Sequence, residues 1–457
     1  MFRSVKHLHF VGIGGIGMSG IAEILLEKGF TVSGSDLNPS QNTDYLKNKG
    51  IDIFIGHSAS NINGAEVIVY SSAVNINENP EIIQAKKNNI PVIRRAEMLA
   101  EVSRLNYSIG VAGTHGKTTT TSMLGLILIE AGLDPTVIVG GRLKDFGGTN
   151  ARLGNGEWTV VEADEFDRSF LQLFPTISII NNVEAEHLDI YRDLEDIEAT
   201  FTEFANKTPF YGLCALGLDD DGVKNILPSI NKQIKTFGFN RNCDIRADKA
   251  KYENGESYCD VYEDGKKLGG IHIRIPGEYN LKNALGALTV ARNLGIEFDI
   301  IKNALSKFSG VFRRFEIKGE YKGIKIIDDY AHHPSEVKAC LEGARKAFNN
   351  RIVCLFQPHT FTRTRDQYKD FAKSFDNADL LFVTDIYPAR EQPIEGISGK
   401  LIADEAVSYG YKNVNYINKN ENIIPIVKEH LKEGDIFITM GAGNIWKYGL
   451  ELIDSQN

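Results

Sequence analysis

Long apolar runs are missing from this chain of 457 residues. No stretch approaches the roughly 18 consecutive apolar residues of a membrane span, so no membrane partner is expected. The apolar stretch after Lys6 is riddled with glycine and soon meets Glu23. It reads as strand, turn and helix rather than as a signal peptide. Cysteine is scarce: Cys214, Cys243, Cys259, Cys340 and Cys354 are scattered, odd in number and form no CxxC pair. That excludes a disulfide framework and a cysteine zinc site, and it fits reduced thiols in a cytoplasmic protein. Positive charge is outnumbered, with 51 Lys and Arg against 60 Asp and Glu and a net charge of −9. A bulk nucleic-acid binder is therefore not expected, and anionic ligands must be held by local cradles. There is no low-complexity tract, and no period of 20–50 residues marks a repeat architecture.

What is present is glycine, 43 residues of it against only 13 prolines, in a chain that is 42% hydrophobic. That balance suits many strand–helix turns, and the length calls for two to four domains. The first hundred residues alternate short apolar runs (HLHFVGI, TVSGSD, IDIFIG, EVIVYSSA, IPVIRR) with helical stretches near Met18–Lys28 and Tyr45–Lys49. A second unit runs through YSIGVA, TVIVGG, WTVVEADE and TISIINNV. Residues 234–275 read as shorter strands with polar alternation, an antiparallel patch appended to that unit. Helical spacing returns at 276–296, VFRRFE marks a border, and IKIIDDYA, RIVCLFQP, LLFVTDIY, VNYI and DIFITMGAGN form a third unit. The expectation is α/β throughout. It has three domains: a Rossmann-like one over 1–106, a central P-loop ATP-binding one over 107–312 carrying the patch, and a second Rossmann-like one over 313–457.

Two glycine-rich cradles stand out. Gly12-x-Gly14-x-x-Gly17, with Gly15 between, follows the first strand and opens a helix, and Asp36 lies about twenty residues on at the end of TVSGSD. Such a turn offers backbone N–H groups and a helix N-terminus to a diphosphate, and the acid suits a ribose hydroxyl. Taken alone it does not tell a nicotinamide dinucleotide from another nucleotide. The second cradle is GVAGTHGKTTTT at 110–121. Gly116-Lys117-Thr118 fits the end of a P-loop, although Val111 occupies the position where the usual pattern has its first glycine. The loop joins an apolar strand to a helix that Gly132 closes, so N–H groups and the positive helix end face the phosphates. Lys117 then reaches the outer phosphates and Thr118 offers its hydroxyl to Mg²⁺. A plain strand–helix turn with a chance lysine is the alternative.

Acid for the metal follows a strong strand in VVEADEFD, with Glu162, Asp164, Glu165 and Asp167. In an extended chain Glu162 and Asp164 share one face and Glu165 takes the other. Mg²⁺ needs only one or two protein oxygens, so not all four serve it. His187 in NNVEAEHLD is the remaining candidate ligand. On the residues alone, a nucleoside triphosphate with Mg²⁺ could be used for hydrolysis, phosphorylation or ligation.

The ordered set GTHGKTTTT, EADE, EAEHLD, YNLKNALGA, FRRFE and DDYAHHP resembles the Mur ligase superfamily, from about residue 8 to 449. FVGIGGIGMSGIAE, SGSD, SSA, NPEI, PVIRRAEML, FQPHTFTRTRD and YPAREQPI narrow the resemblance within it. The resemblance implies an ATP-dependent amide ligase of bacterial cell-wall precursor synthesis. It implies ATP as co-substrate, Mg²⁺, and UDP-N-acetylmuramate and L-alanine as the molecules joined. It turns the first cradle toward a UDP-sugar, with Gly12, Gly14, Gly15, Gly17, Asp36, Ser71 and Ser72 holding it. It assigns ATP to Gly113, Thr114, His115, Gly116, Lys117, Thr118, Thr119, Asn280, Asn283, Arg314 and Asp329, and metal to Thr118, Glu162 and His187. Lys117, Glu162, His187, Arg314 and Asp329 become the catalytic set, with Asp329 preferred to Asp328 because it directly precedes Tyr330. Tyr330, His332, His359, Arg363 and Arg365 look like the amino-acid pocket, arginine suiting a carboxylate. Some relatives carry a carbamylated lysine near the metals, but LDIYRDLEDIEATF after His187 has none, and no such modification is assigned. Two rivals remain at this stage besides a non-catalytic nucleotide-binding module. One is a recycling ligase that adds a whole stem peptide, and the other is an NAD-dependent oxidoreductase. Oligomeric state stays open between monomer and dimer.

Overall fold

The computed structural model describes residues 5–141, 148–186, 190–389 and 391–455. Three sheets carry the fold, of five, ten and six strands. Contacts gather the chain into two compact units, the first holding residues 1–248, 260–271 and 282–308, the second 249–259, 272–281 and 309–457. No helix among the described residues is long and apolar enough to cross a membrane.

The five-stranded sheet orders Asp52–Ile55, Thr31–Asp36, His7–Val11, Val67–Tyr70 and Val92–Arg94, all parallel. The chain winds outward from His7–Val11 in one direction and then restarts on its other side at Val67–Tyr70. That reversal opens a crevice beyond the carboxyl ends of these two strands, where an α/β sheet binds its ligand. The helix that starts at Ile16 buries Met18, Ile21, Ala22, Ile24 and Leu25 against the sheet. The second helix covers Gln41–Asn48 and is longer at its start than expected, because Ser40 and Thr43 close a reciprocal capping box.

In the ten-stranded sheet, strands Thr136–Ile138, Trp158–Glu162, Tyr107–Ala112, Ile177–Ile180, Leu213–Gly217 and Ile234–Gly238 run parallel. The strand LCALG at 213–217 is only five residues long and built largely of small residues, so it carries little sequence signal of its own. The expected antiparallel patch begins later than residue 234. Ile234–Gly238 pairs parallel with Leu213–Gly217 on one side and with Ile245–Glu253 on the other. Only beyond Glu253 does the chain fold back, through the two-residue turns Asn254-Gly255 and Asp264-Gly265, whose positive φ values are those of hairpin turns.

The six-stranded sheet orders Glu316–Tyr321, Ile324–Asp329, Ile436–Met440, Ile352–Phe356, Leu380–Thr384 and Val414–Ile417. Its first two strands form an antiparallel hairpin turned at Lys322-Gly323, and the rest are parallel. The central strands are apolar and wholly buried, as strands covered on both faces must be. A mixed α/β fold with three sheet-bearing domains is the result.

Candidate functional site

The first cradle sits at the reversal point of the five-stranded sheet. Gly12 takes φ 81°, and a Cβ there would lie 3.1 Å from the Ser71 Cβ. Its N–H and that of Ile13 donate to the Ser35 carbonyl at 2.8 and 3.0 Å. Gly14 donates to the Asp36 carboxylate at 2.9 Å, so Asp36 closes the turn on itself. A side chain on Gly14 would meet Asp36, Thr43 and Ser40 at 2.9–3.1 Å. Gly15 is the N-cap of the following helix, without a side-chain cap. Ser71 donates its N–H to the Val11 carbonyl, while Ser72 is exposed. Arg95, which the motifs did not single out, lies 2.9 Å from where a Gly17 Cβ would be. It also approaches Asp164 at 3.9 Å.

The second cradle is built from Gly113 to Thr118. Gly113 and Gly116 have φ 138° and 81°, and each lies against an asparagine. A Cβ on Gly116 would sit 2.2 Å from the Asn283 Oδ1, and one on Gly113 3.0 Å from the Asn181 Cβ. Asn283, on the helix Glu278–Asn293, is therefore brought against the loop. Asn280 turns its amide to the Pro276 carbonyl at 2.7 Å. Asn182 had not been expected to matter, yet it accepts from the His115 N–H at 2.7 Å and donates to the His115 carbonyl. Thr114 pairs with the backbone of 182–184, and the His115 ring faces Glu184 at 3.5 Å. Thr119 is buried in the helix Lys117–Glu130, whose first turn no side chain caps. Its N–H groups point where anions are held.

The Thr118 hydroxyl donates to Glu162 at 3.0 and 2.9 Å, and the Gly140 N–H donates to the same carboxylate at 2.7 Å. One hydroxyl and one carboxylate are hard oxygens, and they leave most of an octahedron to water and phosphate. The residues present thus fit Mg²⁺. His187 lies outside the described residues.

Lys117 supplies the largest departure from expectation. Its ammonium donates to Glu165 Oε1 and Oε2 at 2.9 and 2.8 Å, to the Gly113 carbonyl at 2.7 Å and to the Thr114 carbonyl at 3.1 Å. The alternation drawn through VVEADEFD had set Glu165 apart from Glu162. It fails because the strand ends at Glu162 and the chain turns into a short helical segment, so both acids reach the loop. Burial pushes the Glu165 carboxyl up to about 7, against the pull of the Lys117 charge. Burial alone would lower Lys117, but the field of Glu165, Asp164 and Glu186 overrides it and holds the ammonium above its ordinary value. Lys117 is charged.

In the second unit the tandem acids of DDYAHHP act as a clamp. Asp329 accepts from the Phe315 and Ala331 N–H groups, both at 2.7 Å, and burial raises it to about 6. Asp328 takes the Arg313 Nε at 3.1 Å and the Thr439 hydroxyl at 2.7 Å. Of the two arginines in FRRFE, Arg313 is the one tied to the sheet. It also donates to the Gly441 and Ala442 carbonyls, whereas Arg314 faces Glu336 at 3.4 Å, and both guanidinium groups lie over the Tyr330 ring.

Tyr330, His332, His359 and Tyr387 form a chain of rings with centroids 5.1, 5.7 and 5.9 Å apart. Burial, with the charges of His332, Arg363 and Arg313, lowers His359 to about 3, so it is a neutral imidazole. Arg363 belongs to this group, but Arg365 does not. Two residues along the helix Phe361–Ala372 turn Arg365 to the opposite side, where it is exposed and paired with Asp366. Glu391, also unforeseen, accepts from the N–H groups of Phe361 and Thr362 at 2.6 and 2.9 Å and caps that helix.

Two phosphate-type cradles, one lysine-bearing with a threonine–glutamate pair, on three α/β domains mark a nucleotide-binding α/β protein, and the family it matches narrows that to a ligase. Three family models match in order: the Mur ligase family catalytic domain over residues 7–107, the Mur ligase middle domain over 111–291, and the Mur ligase glutamate ligase domain over 313–443. The chain belongs to the Mur ligase family, and with it is an ATP-dependent ligase. It is 47% identical over 454 residues, 99% of each chain, to UDP-N-acetylmuramate–L-alanine ligase of Geotalea daltonii. It is 48% identical over 447 residues, 97% of each, to the ligase of the same name from a Sulfurihydrogenibium strain. A crystal structure of UDP-N-acetylmuramate–alanine ligase from Thermotoga maritima aligns over 98% of both chains with a TM-score of 0.83 and 30% identity.

Proposed function

We propose that this protein joins L-alanine to the lactoyl carboxylate of UDP-N-acetylmuramate at the expense of ATP, giving UDP-N-acetylmuramoyl-L-alanine, ADP and phosphate. The observation that carries the reading is identity of 47% along 99% of relatives bearing that activity in their name. The chemistry of the site supports it. A carboxylate is a poor acyl donor because oxide is a poor leaving group, and phosphorylation by ATP removes that barrier. The lactoyl carboxylate attacks the γ-phosphorus, ADP leaves, and the neutral amine of alanine then attacks the acyl phosphate and expels phosphate.

In the first step two anions must meet, so catalysis is charge neutralisation and alignment. Lys117 and the N–H groups at the start of Lys117–Glu130 bind the phosphates, and Asn283 and Asn182 fix the shape of their loop. Thr118 and Glu162 hold Mg²⁺, which when bound screens the phosphate oxygens. The first cradle, with Asp36, binds the UDP moiety. Arg314 and Asp329 serve the nucleotide from the third domain, and Tyr330, His332, His359 and Arg363 receive alanine. We take the domains as 1–106, 107–312 and 313–457, and place the reaction in the cytoplasm among the precursors of peptidoglycan.

The test is phosphate release from ATP and Mg²⁺ with UDP-N-acetylmuramate, adding L-alanine, L-serine, glycine or the stem tripeptide in turn. Release that needs both the nucleotide sugar and L-alanine is expected. Release only with the tripeptide moves the protein to the recycling branch. That branch is a live arm because a Neisseria UDP-N-acetylmuramate:L-alanyl-γ-D-glutamyl-meso-diaminopimelate ligase is 32% identical over 68% of this chain. Nicotinamide absorbance with no phosphate release would return the oxidoreductase reading.

A further inference from the structure

An ammonium has three protons to donate, and Lys117 Nζ already has four oxygens within 3.1 Å. Its hydrogen-bonding capacity is full before any phosphate arrives. A phosphate that enters must therefore take a proton from one of the four. Two of them are carbonyls of the loop itself, neutral and fixed by the loop's shape. The other two belong to one carboxylate, buried at 3% exposure, which an incoming phosphate repels. The backbone of that residue is pinned, since the Tyr191 hydroxyl donates to the Glu165 carbonyl at 2.6 Å. Only its side chain is left to yield.

We propose that Glu165 is a positioning residue that parks Lys117 in the nucleotide-free enzyme and is displaced from it when the triphosphate binds. This rests on the reading of the loop as the ATP site and adds a regulator of its affinity to that reading. The parked pair keeps a buried lysine charged and the loop in its cradle shape. In exchange the enzyme binds nucleotide more weakly, because every binding event breaks the pair. The freed carboxylate is then left in the field of Asp164 and Glu186, which raises the cost of exchange. A state that is parked about nine-tenths of the time reduces apparent affinity about tenfold.

Glu165→Gln keeps the shape and one acceptor but removes the charge. The measurements are the melting temperature without nucleotide and the calorimetric Kd for Mg²⁺ with a non-hydrolysable ATP analogue. They are made in wild type, Glu165→Gln, Lys117→Met and the double variant. The expected result is a lower melting temperature for Glu165→Gln with an affinity about tenfold tighter than wild type. In the Lys117→Met background the same change should leave affinity unmoved. A purely structural role would lower melting temperature and affinity together, and that result would overturn the proposal. So would equal affinity in a Glu165→Gln protein whose circular dichroism matches wild type. Wild type that binds no analogue at all would instead sink the ATP-site reading beneath it.

Discussion

The Thr118 hydroxyl and the Glu162 carboxylate meet at 3.0 and 2.9 Å, joining the start of the phosphate-loop helix to the end of the neighbouring strand. Strand Trp158–Glu162 pairs parallel with Tyr107–Ala112, so their carboxyl ends lie side by side and this contact is set by register. This pair would hold a divalent cation if one binds with the phosphates.

The first prediction follows from that pair. Glu162→Gln keeps the hydrogen bond from Thr118 but offers the cation a neutral oxygen. The Mg²⁺ concentration for half-maximal phosphate release should rise by about 10- to 100-fold, with little change in KM for L-alanine. An unchanged Mg²⁺ requirement would place the cation elsewhere.

The second concerns the glycine turn at the sheet reversal. A methyl group on Gly14 would come within 2.9–3.1 Å of Asp36, Thr43 and Ser40, and the Gly14 N–H holds Asp36 at 2.9 Å. Gly14→Ala should push Asp36 off the turn, at a cost of about 1–3 kcal/mol in stability. It should raise KM for UDP-N-acetylmuramate while leaving KM for ATP near wild type. Steady-state kinetics with each substrate varied separately decides it, and equal rises in both would refute the separation of the two cradles.

The third uses the buried Asp329. Removing its carboxyl in Asp329→Ala strands two buried N–H groups, those of Phe315 and Ala331, and should cost about 2–4 kcal/mol. Asp329→Asn isolates the charge. The native carboxyl titrates at about 6 against an ordinary 3.8, so between those values the folded state keeps a proton that the unfolded state has lost. Wild-type stability, measured relative to Asp329→Asn by urea unfolding, should fall as pH rises through that window and level off above it. A difference that is flat in pH would mean that Asp329 is ionised throughout.

Much of this fold was readable because its signals are local. Apolar runs such as RIVCLF and LLFVT give strands, and Gly12 and Gly116 mark turns whose φ only glycine adopts cheaply. Thr118 and Glu162 could be named because the strand ends and the helix start fix their reach, whereas Asn283 was named only through the family resemblance. Glu165 could not be assigned. Extended alternation was the natural reading of EADE, and nothing local announces that the strand stops at Glu162. The fixing of Arg313 to the sheet was equally out of reach. It depends on Arg313 taking φ 61°, held there by Asp328 and the Gly441 and Ala442 carbonyls more than a hundred residues away. Arg363 and Arg365 read as one cluster in TFTRTRD, but the helical period sends them to different sides of Phe361–Ala372.

The last prediction concerns the protonation of His359. Buried beside Tyr387 and facing the charges of His332, Arg363 and Arg313, it should remain a neutral imidazole down to a pH of about 3. A neutral ring can accept a hydrogen bond from an amine and so orient it, whereas an imidazolium would repel the ammonium form of alanine. The sign for stability follows. Its folded value is below the ordinary 6.5, so its contribution is complete above that pH and is lost as pH falls toward 3. Carbon-13 or proton NMR of ring-labelled histidines in wild type, assigned by loss of one signal in His359→Asn, measures this directly. The His359 signal should stay flat between pH 8 and 5 while exposed histidines titrate. A midpoint near 6.5 would show the ring to be solvated, and the pocket for the amino acid would then have to be sought away from the ring chain of Tyr330, His332 and His359.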